Sequence, residues 1–401
     1  MSHPAGPLTG LRVLDLTRVL AGPTATQMLG DLGAEVIKIE RNGSGDDTRG
    51  FAPPFWPETR ESAYFLGVNR NKKSVTLDIA TKEGQAVVLR LLEHCDILVE
   101  NFKVGALAKY GLGWEQLKAR FPRLIYCSIT GFGQTGPYAP RPGYDALIQA
   151  MGGVMSLTGE PEGSPQKVGV PVADLFAGLY GCIGILAAVN HRHATGEGQQ
   201  VDIGMLDTHV AWLANQGMNY LATGENPARL GNQHPNIAPY QEFPTKDGYI
   251  ILAVGNDPTF ERFCRAFGQE QLLADPRFAT NPKRVENRAL VTATLTPVMQ
   301  SRTTAEWITL LEEQKIGCGP INTLREVFAD AHVVARDMVV EMDHASGQRV
   351  KVIANPVKLS ATPPTYRSAP PALGEHSDEV LGGLLGMDAA EIAALREKGV
   401  V

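Results

Sequence analysis

Cysteine is scarce in this sequence: it occurs five times in 401 residues, and Cys95, Cys127, Cys182, Cys264 and Cys318 are too dispersed to form a metal knuckle. An odd, scattered set of this kind reads as reduced, mostly buried thiols of a cytoplasmic protein and not as a disulfide framework. None has neighbours that suggest catalysis. Basic residues are in deficit, with 37 Lys and Arg against 43 Asp and Glu and a formal net charge of -6. That balance excludes a nucleic-acid surface unless cations are concentrated locally. No apolar run approaches the ~20 residues of a membrane span, and Met1–Gly10 lacks the basic and apolar regions of a signal peptide. There is no internal repeat and no low-complexity tract. The first strand is not followed by Gly-x-Gly-x-x-Gly, so the usual pyrophosphate cradle of a dinucleotide fold is missing. No metal cluster stands out either: His191 and His193 flank Arg192 at a predicted helix C-terminus, where positive charge complements the helix dipole.

What is present is an ordinary globular balance, 43% hydrophobic and 20% charged, long enough for two domains. The first half alternates strand and helix signals: strand Arg12–Leu16, turn Val19–Pro23, helix Thr24–Leu32, strand Glu35–Ile39. Strand Ser74–Leu77, helix Lys82–Leu92, strand Ile97–Val99 and strand Leu124–Ser128 continue the pattern. Such alternation predicts an α/β fold, a parallel sheet with helices on both faces and ligands beyond the C-terminal strand ends. A long apolar helix over Leu175–Val189 follows, then a strand at Gln200–Ile203 and a helix over Met205–Leu221. The Gly-, Asn- and Pro-rich stretch Thr223–Pro239 reads as a linker. A second unit begins at the strand Tyr249–Val254, with helices over Pro258–Phe267, Ala289–Met299 and Thr304–Glu313, and a last small helix lies near Ala389–Lys398.

Four places in this frame could carry chemistry. Glu40 ends the second strand, where a ribose-binding acid would sit, but its neighbour Arg41 favours a phosphate; Arg18 and Arg41 read equally as solvated charges. Asp174 stands directly before the apolar helix. From its segment alone the helix N-cap is the favoured role, although the positive end of a helix also keeps a carboxylate ionised, as a nucleophile requires. The loop Thr130–Pro137 is Gly-rich but lacks the Lys of a P-loop, and His234 sits in a polar turn open to either a substrate or solvent.

The runs Leu14–Pro23, Leu32–Arg41, Asn69–Ser74, Val99–Phe102, Gly196–Gln199 and Leu373–His376, in this order, resemble the class III CoA-transferases (the CaiB/BaiF family) from about Leu8 to Val401. The resemblance implies a Rossmann-like large domain formed by both termini (1–222 and 331–401), a linker and smaller α+β domain (223–330), and an interlocked ring-shaped homodimer. It implies Asp174 as nucleophile. It further implies Arg18, Val19, Leu20, Arg41, Lys72, Lys73, Asn101, Phe102 and Lys109 as coenzyme A contacts, with Gln134 and Tyr144 in the acyl pocket. Coenzyme A is then a substrate; no tightly bound cofactor and no metal are expected.

Within that family, racemases place a His where this chain has Tyr144. Inverting a stereocentre needs an acid and a base on opposite faces, and a phenol with pKa near ~10 serves poorly, so transfer is favoured over racemisation. Non-catalytic coenzyme A binding is the remaining alternative. No poly-glycine run is present, and Arg229–His234 through Gln241 resembles the succinate–glutarate branch. This points to succinyl-CoA as donor and a C4–C6 dicarboxylate such as glutarate or itaconate as acceptor. Arg18, Gln134 or His234 would meet the distal carboxylate.

Overall fold

In the computed structural model, residues 6–57 and 59–401 are described; the opening stretch read for a signal peptide lies partly outside them. The chain divides into two compact units: Met1–Gly152 with Val168–Trp212 and His332–Val401, and Gly153–Lys167 with Leu213–Ala331.

The first unit is built on six parallel strands: β1 (Arg12–Asp15), β2 (Glu35–Glu40), β3 (Lys72–Thr76), β4 (Ile97–Glu100), β5 (Ile125–Thr130) and β6 (Gln200–Gly204). Their order is β3-β2-β1-β4-β5-β6. The chain therefore reverses direction of travel between β1 and β4, and the crevice beyond those strand ends is where such sheets bind ligands. One apolar layer joins helices Ala21–Asp31 and Val172–Thr195 to the sheet. The other joins helix Lys82–Leu92 and the C-terminal helix Ala389–Glu397. Helices thus cover both faces, as the alternation predicts. The returning C-terminal segment is tied in by backbone bonds, Asp78 N–H to Val400 O at 2.7 Å and Thr365 N–H to Asp31 O at 2.8 Å.

Three local expectations are corrected. The Val19–Pro23 turn is partly helix, because Ala21 already starts it; Pro23 costs nothing in a first turn, where its missing N–H would have had no partner. The single helix expected over Met205–Leu221 is two, Met205–Ala211 and Ala214–Thr223, with Ala214 at φ 46°. The apolar helix is 24 residues long, Val172–Thr195, and by length and composition it could cross a membrane. Half of its most apolar window is buried inside the protein, and small residues explain how. A Cβ on Gly178 would meet Ala21 O at 2.6 Å, and one on Gly181 would meet Ile129 Cδ1 at 3.0 Å. The helix lies that close to its neighbours on one side, and that side is apolar because it packs in the core.

The second unit carries an antiparallel sheet, β7 (Tyr240–Pro244), β8 (Tyr249–Ala253) and β9 (Gly317–Pro320), in that order. Its core, including Phe243, Ile250, Phe263 and Trp307, lies between this sheet and the helices Asp257–Ala266, Arg288–Met299 and Thr304–Glu313.

Candidate active site

Two cavities open beyond the C-terminal strand ends of the first unit, and both are lined by Arg18 and Phe102. The guanidinium of Arg18 lies over the Phe102 ring, 5.5 Å from its centroid. One cavity, about 180 Å³, runs past Arg41, Asp78 and Tyr110. The other, about 270 Å³, runs past Asn101 and Tyr144 to Asp145 and Asp174. A ligand much longer than either cavity could lie across the Arg18–Phe102 divide with its two ends in different chambers.

The loop after β1 is held from below by buried ions. Asp15 and Lys72, both fully buried, pair at 3.1 Å, and Lys38 pairs with Asp46 at 2.9 Å. Lys38 also donates to Thr17 O at 2.8 Å, and Asp46 accepts from Val19 N–H at 3.2 Å. From the side, Asn101 accepts from Arg18 N–H and donates to Arg18 O, at 2.9 and 2.6 Å. Glu100 supports this turn in the same way, accepting from Phe102 N–H at 2.8 Å. These bonds hold Val19 at φ 69°, a left-handed conformation that a β-branched residue resists. Val19, Leu20 and Ala21 consequently line the Asp174 cavity.

Asp174 corrects the sequence reading twice. Pro171 is the N-cap, and Asp174 lies in the first helical turn without capping it. The cap is supplied from outside the helix by Asp145, whose Oδ1 accepts from Ala173 N–H at 2.9 Å while its Oδ2 accepts from Gln149 Nε2 at 2.8 Å. The helix end does not keep Asp174 strongly acidic either. Burial, and then the charge of Asp145, push its pKa up to about 7. No cation pairs with it among the described residues. A carboxylate desolvated in this way is weakly solvated and reactive as a nucleophile once ionised.

The remaining expected residues distribute unevenly. Tyr144 lines the same cavity, 71% exposed. Arg41 lines only the neighbouring one, and Lys109 is an exposed side chain one residue before Tyr110, outside both linings. Lys72 is in a place no ligand reaches: besides Asp15 it donates to Pro23 O and Asn69 Oδ1, each at 3.0 Å. Lys73 pairs with Glu35 and Glu379 at 2.8 Å, away from both cavities. Gln134 also lies outside them, its backbone N–H donating to Asp202. His234 belongs to the second unit, stacked on Tyr240 with centroids 5.1 Å apart. Sequence reasoning missed Asp145 and Arg141 as cavity residues. The signal was an acid one residue after Tyr144, at the first position of helix Asp145–Met151.

Comparison with known proteins gives the family and the fold. The model of CoA-transferase family III matches residues 8–377. The succinate–glutarate CoA-transferase of Agrobacterium fabrum is 48% identical over 96% of this chain and 97% of its own. The succinyl-CoA:glutarate CoA-transferase of mouse is 43% identical over 98% and 90%. The crystal structure of a CAIB/BAIF family protein from Brucella suis superposes with a TM-score of 0.84 at 48% identity, covering 95% of this chain and all of that one.

Proposed function

The chain belongs to CoA-transferase family III, and from that premise we propose that Asp174 carries coenzyme A from succinyl-CoA to a C4–C6 dicarboxylate such as glutarate or itaconate. The observation that carries this reading is a half-buried carboxylate with pKa near 7, unpaired, on the wall of a cavity beyond the sheet's ligand edge.

The chemistry follows from that group. One Asp174 oxygen attacks the thioester carbonyl of the donor; the C–S bond breaks, coenzyme A thiolate leaves, and a mixed anhydride remains. The thiolate attacks the aspartyl carbonyl, releasing succinate and leaving an aspartyl-CoA thioester. The acceptor carboxylate then repeats both steps in reverse. A difficult exchange between weak nucleophiles becomes a series of easier ones, and one thioester replaces another without an external energy source. Arg18, Val19, Leu20, Asn101 and Phe102 face the coenzyme in this reading, and Arg41 its far end.

Racemisation fits less well. No histidine lines the Asp174 cavity among the described residues, and both oxygens of Asp145 are engaged in hydrogen bonds. The homodimer implied by the family is part of the proposal. Leu179, Tyr180 and Ile183 stand exposed on the apolar helix of a lone chain, as surfaces awaiting a partner do, and a mass of twice 43.2 kDa in solution would bear it out.

Asp174→Asn should lose transfer by on the order of 10³-fold or more, and hydroxylamine added with succinyl-CoA should convert Asp174 of the native protein to its hydroxamate, displacing the bound coenzyme A thiolate or succinate. Full activity in the variant sinks the assignment. Deuterium entering the α-carbon without an acceptor acid would support the racemase instead.

A further inference from the structure

Arg141 is a cation of the Asp174 cavity that forms no ion pair among the described residues. The other guanidinium on that wall, Arg18, is ion-paired to Asp47 at 2.9 Å. The side chain of Arg141 makes no ion pair and no hydrogen bond among the described residues. Its contacts are ring faces: the guanidinium carbon lies 4.5 Å from the Tyr138 centroid and 5.5 Å from that of Phe132. Those rings meet edge to face at 5.5 Å. Stacking occupies the face of a guanidinium and leaves the N–H donors of its edge free, in the fork that matches a carboxylate.

The mount is rigid as well as open. Gly131, just past β5, and Gly143 pack backbone to backbone: a Cβ on Gly143 would meet Gly131 Cα at 2.3 Å, and one on Gly131 would meet Gly143 Cα at 2.5 Å. Arg141 N–H donates to Tyr138 O at 2.9 Å. The segment from Tyr138 to Asp145 is thereby fixed on the strand end, with Arg141 and Asp174 on one cavity. Lys103 lies on the same wall, but as a point charge on a flexible stem it lacks the planar fork.

Charge makes a cation there necessary. Asp145 and Asp174 already place carboxylates on the cavity, and a dicarboxylic acid brings two more. One reacts at Asp174. The distal one needs a partner, since an unpaired carboxylate in a partly desolvated site is strongly disfavoured.

We propose that Arg141 receives the distal carboxylate of the acyl group and so selects dicarboxylates over monocarboxylates. This rests on the reading of Asp174 as the acyl-carrying nucleophile. The test compares glutarate with its monomethyl ester as acceptors from succinyl-CoA, in the native protein and in Arg141→Gln. The native ratio of kcat/KM for the two acids should be about 10- to 100-fold and should collapse toward one in Arg141→Gln, with partial recovery in Arg141→Lys. A ratio rather than a rate is read, so general damage to the variant does not imitate the effect. An unchanged ratio in Arg141→Gln, or its collapse in Lys103→Met instead, overturns the proposal. Absence of hydroxamate at native Asp174 removes the underlying reading too, whereas hydroxamate there with an unchanged ratio removes Arg141 alone.

Discussion

Asp15 and Asp174 are the same residue type in the same unit, one fully buried and one half-buried, and they titrate at opposite ends. Burial works against ionisation of Asp15, but Lys72, then Lys38, and the hydroxyls of Thr17 and Thr26 outweigh it and hold its pKa at about 2. Asp174 has burial and the negative charge of Asp145, with no cation to offset them, and rises to about 7. Burial alone does not decide what a carboxylate does; the partner decides. The paired acid anchors the loop that carries Val19, and the unpaired one is left to react.

The sharpest way to break this comparison is to remove a partner on one side and the charge on the other. Lys72→Met leaves Asp15 buried beside Lys38 alone and should cost ~3–5 kcal/mol of stability. Asp174→Asn should do the reverse. The folded pKa of Asp174 lies above the unfolded 3.8, so its ionisation costs stability progressively from about pH 4 to about pH 7 and by a constant amount above. Three pH units at ~1.36 kcal/mol each set a ceiling of ~4 kcal/mol; partial exposure to the cavity reduces the expected gain to ~1–2 kcal/mol. Asp15 has the opposite sign, its contribution being present above about pH 4 and lost as the pH falls toward 2. Denaturant melts at pH 8 read both variants, and a destabilised Asp174→Asn would defeat the contrast.

A smaller effect isolates Asp145. The reactive form of Asp174 is the carboxylate, so kcat/KM should rise with pH through an acid limb near 7 and then level. Asp145→Asn keeps an acceptor for Ala173 N–H but removes the neighbouring charge. The limb should move down and activity at pH 6 should rise roughly severalfold. Burial, the larger cause, remains, so the limb should stay well above the ordinary aspartate value. A limb that does not move would show that Asp145 acts only as a cap.

The parallel sheet was legible because each strand and helix announces itself over several residues: Ile97–Glu100 and Ile125–Thr130 are nearly continuous apolar runs, as doubly covered strands must be. The roles of Lys72 and Asp145 were not, because each depends on a partner distant along the chain, Asp15 for the one and Ala173 N–H for the other. Asn69–Lys73 looks like an exposed, cationic ligand motif. In the fold, Arg70 pairs with Asp31 at 2.6 Å, Asn71 accepts from Arg367 N–H at 2.7 Å, and Lys72 faces Asp15. The motif fastens the returning C-terminal segment to the sheet. A single sequence shows the charge of a lysine but not whether an aspartate 57 positions earlier, Lys72 back to Asp15, will neutralise it.

The smallest predicted effect joins the two regions, since the buried ions act on the cavity through Val19. If Asn101, Asp46 and Lys38 hold its positive φ against resistance, relieving the resistance should not lower stability but should weaken binding. Val19→Gly removes a strain of ~1–3 kcal/mol but adds a flexibility cost of ~0.5–1 kcal/mol, leaving a net gain between about zero and ~2.5 kcal/mol. The loop it frees lines the Asp174 cavity, so KM for the CoA thioester should rise a few-fold with kcat nearly unchanged. Val19→Ala keeps a Cβ in the same conformation and should leave KM close to native. If Val19→Gly instead destabilises the fold strongly, the loop is held by packing of the valine side chain. The buried lattice would then be a neighbour of the site and not its support.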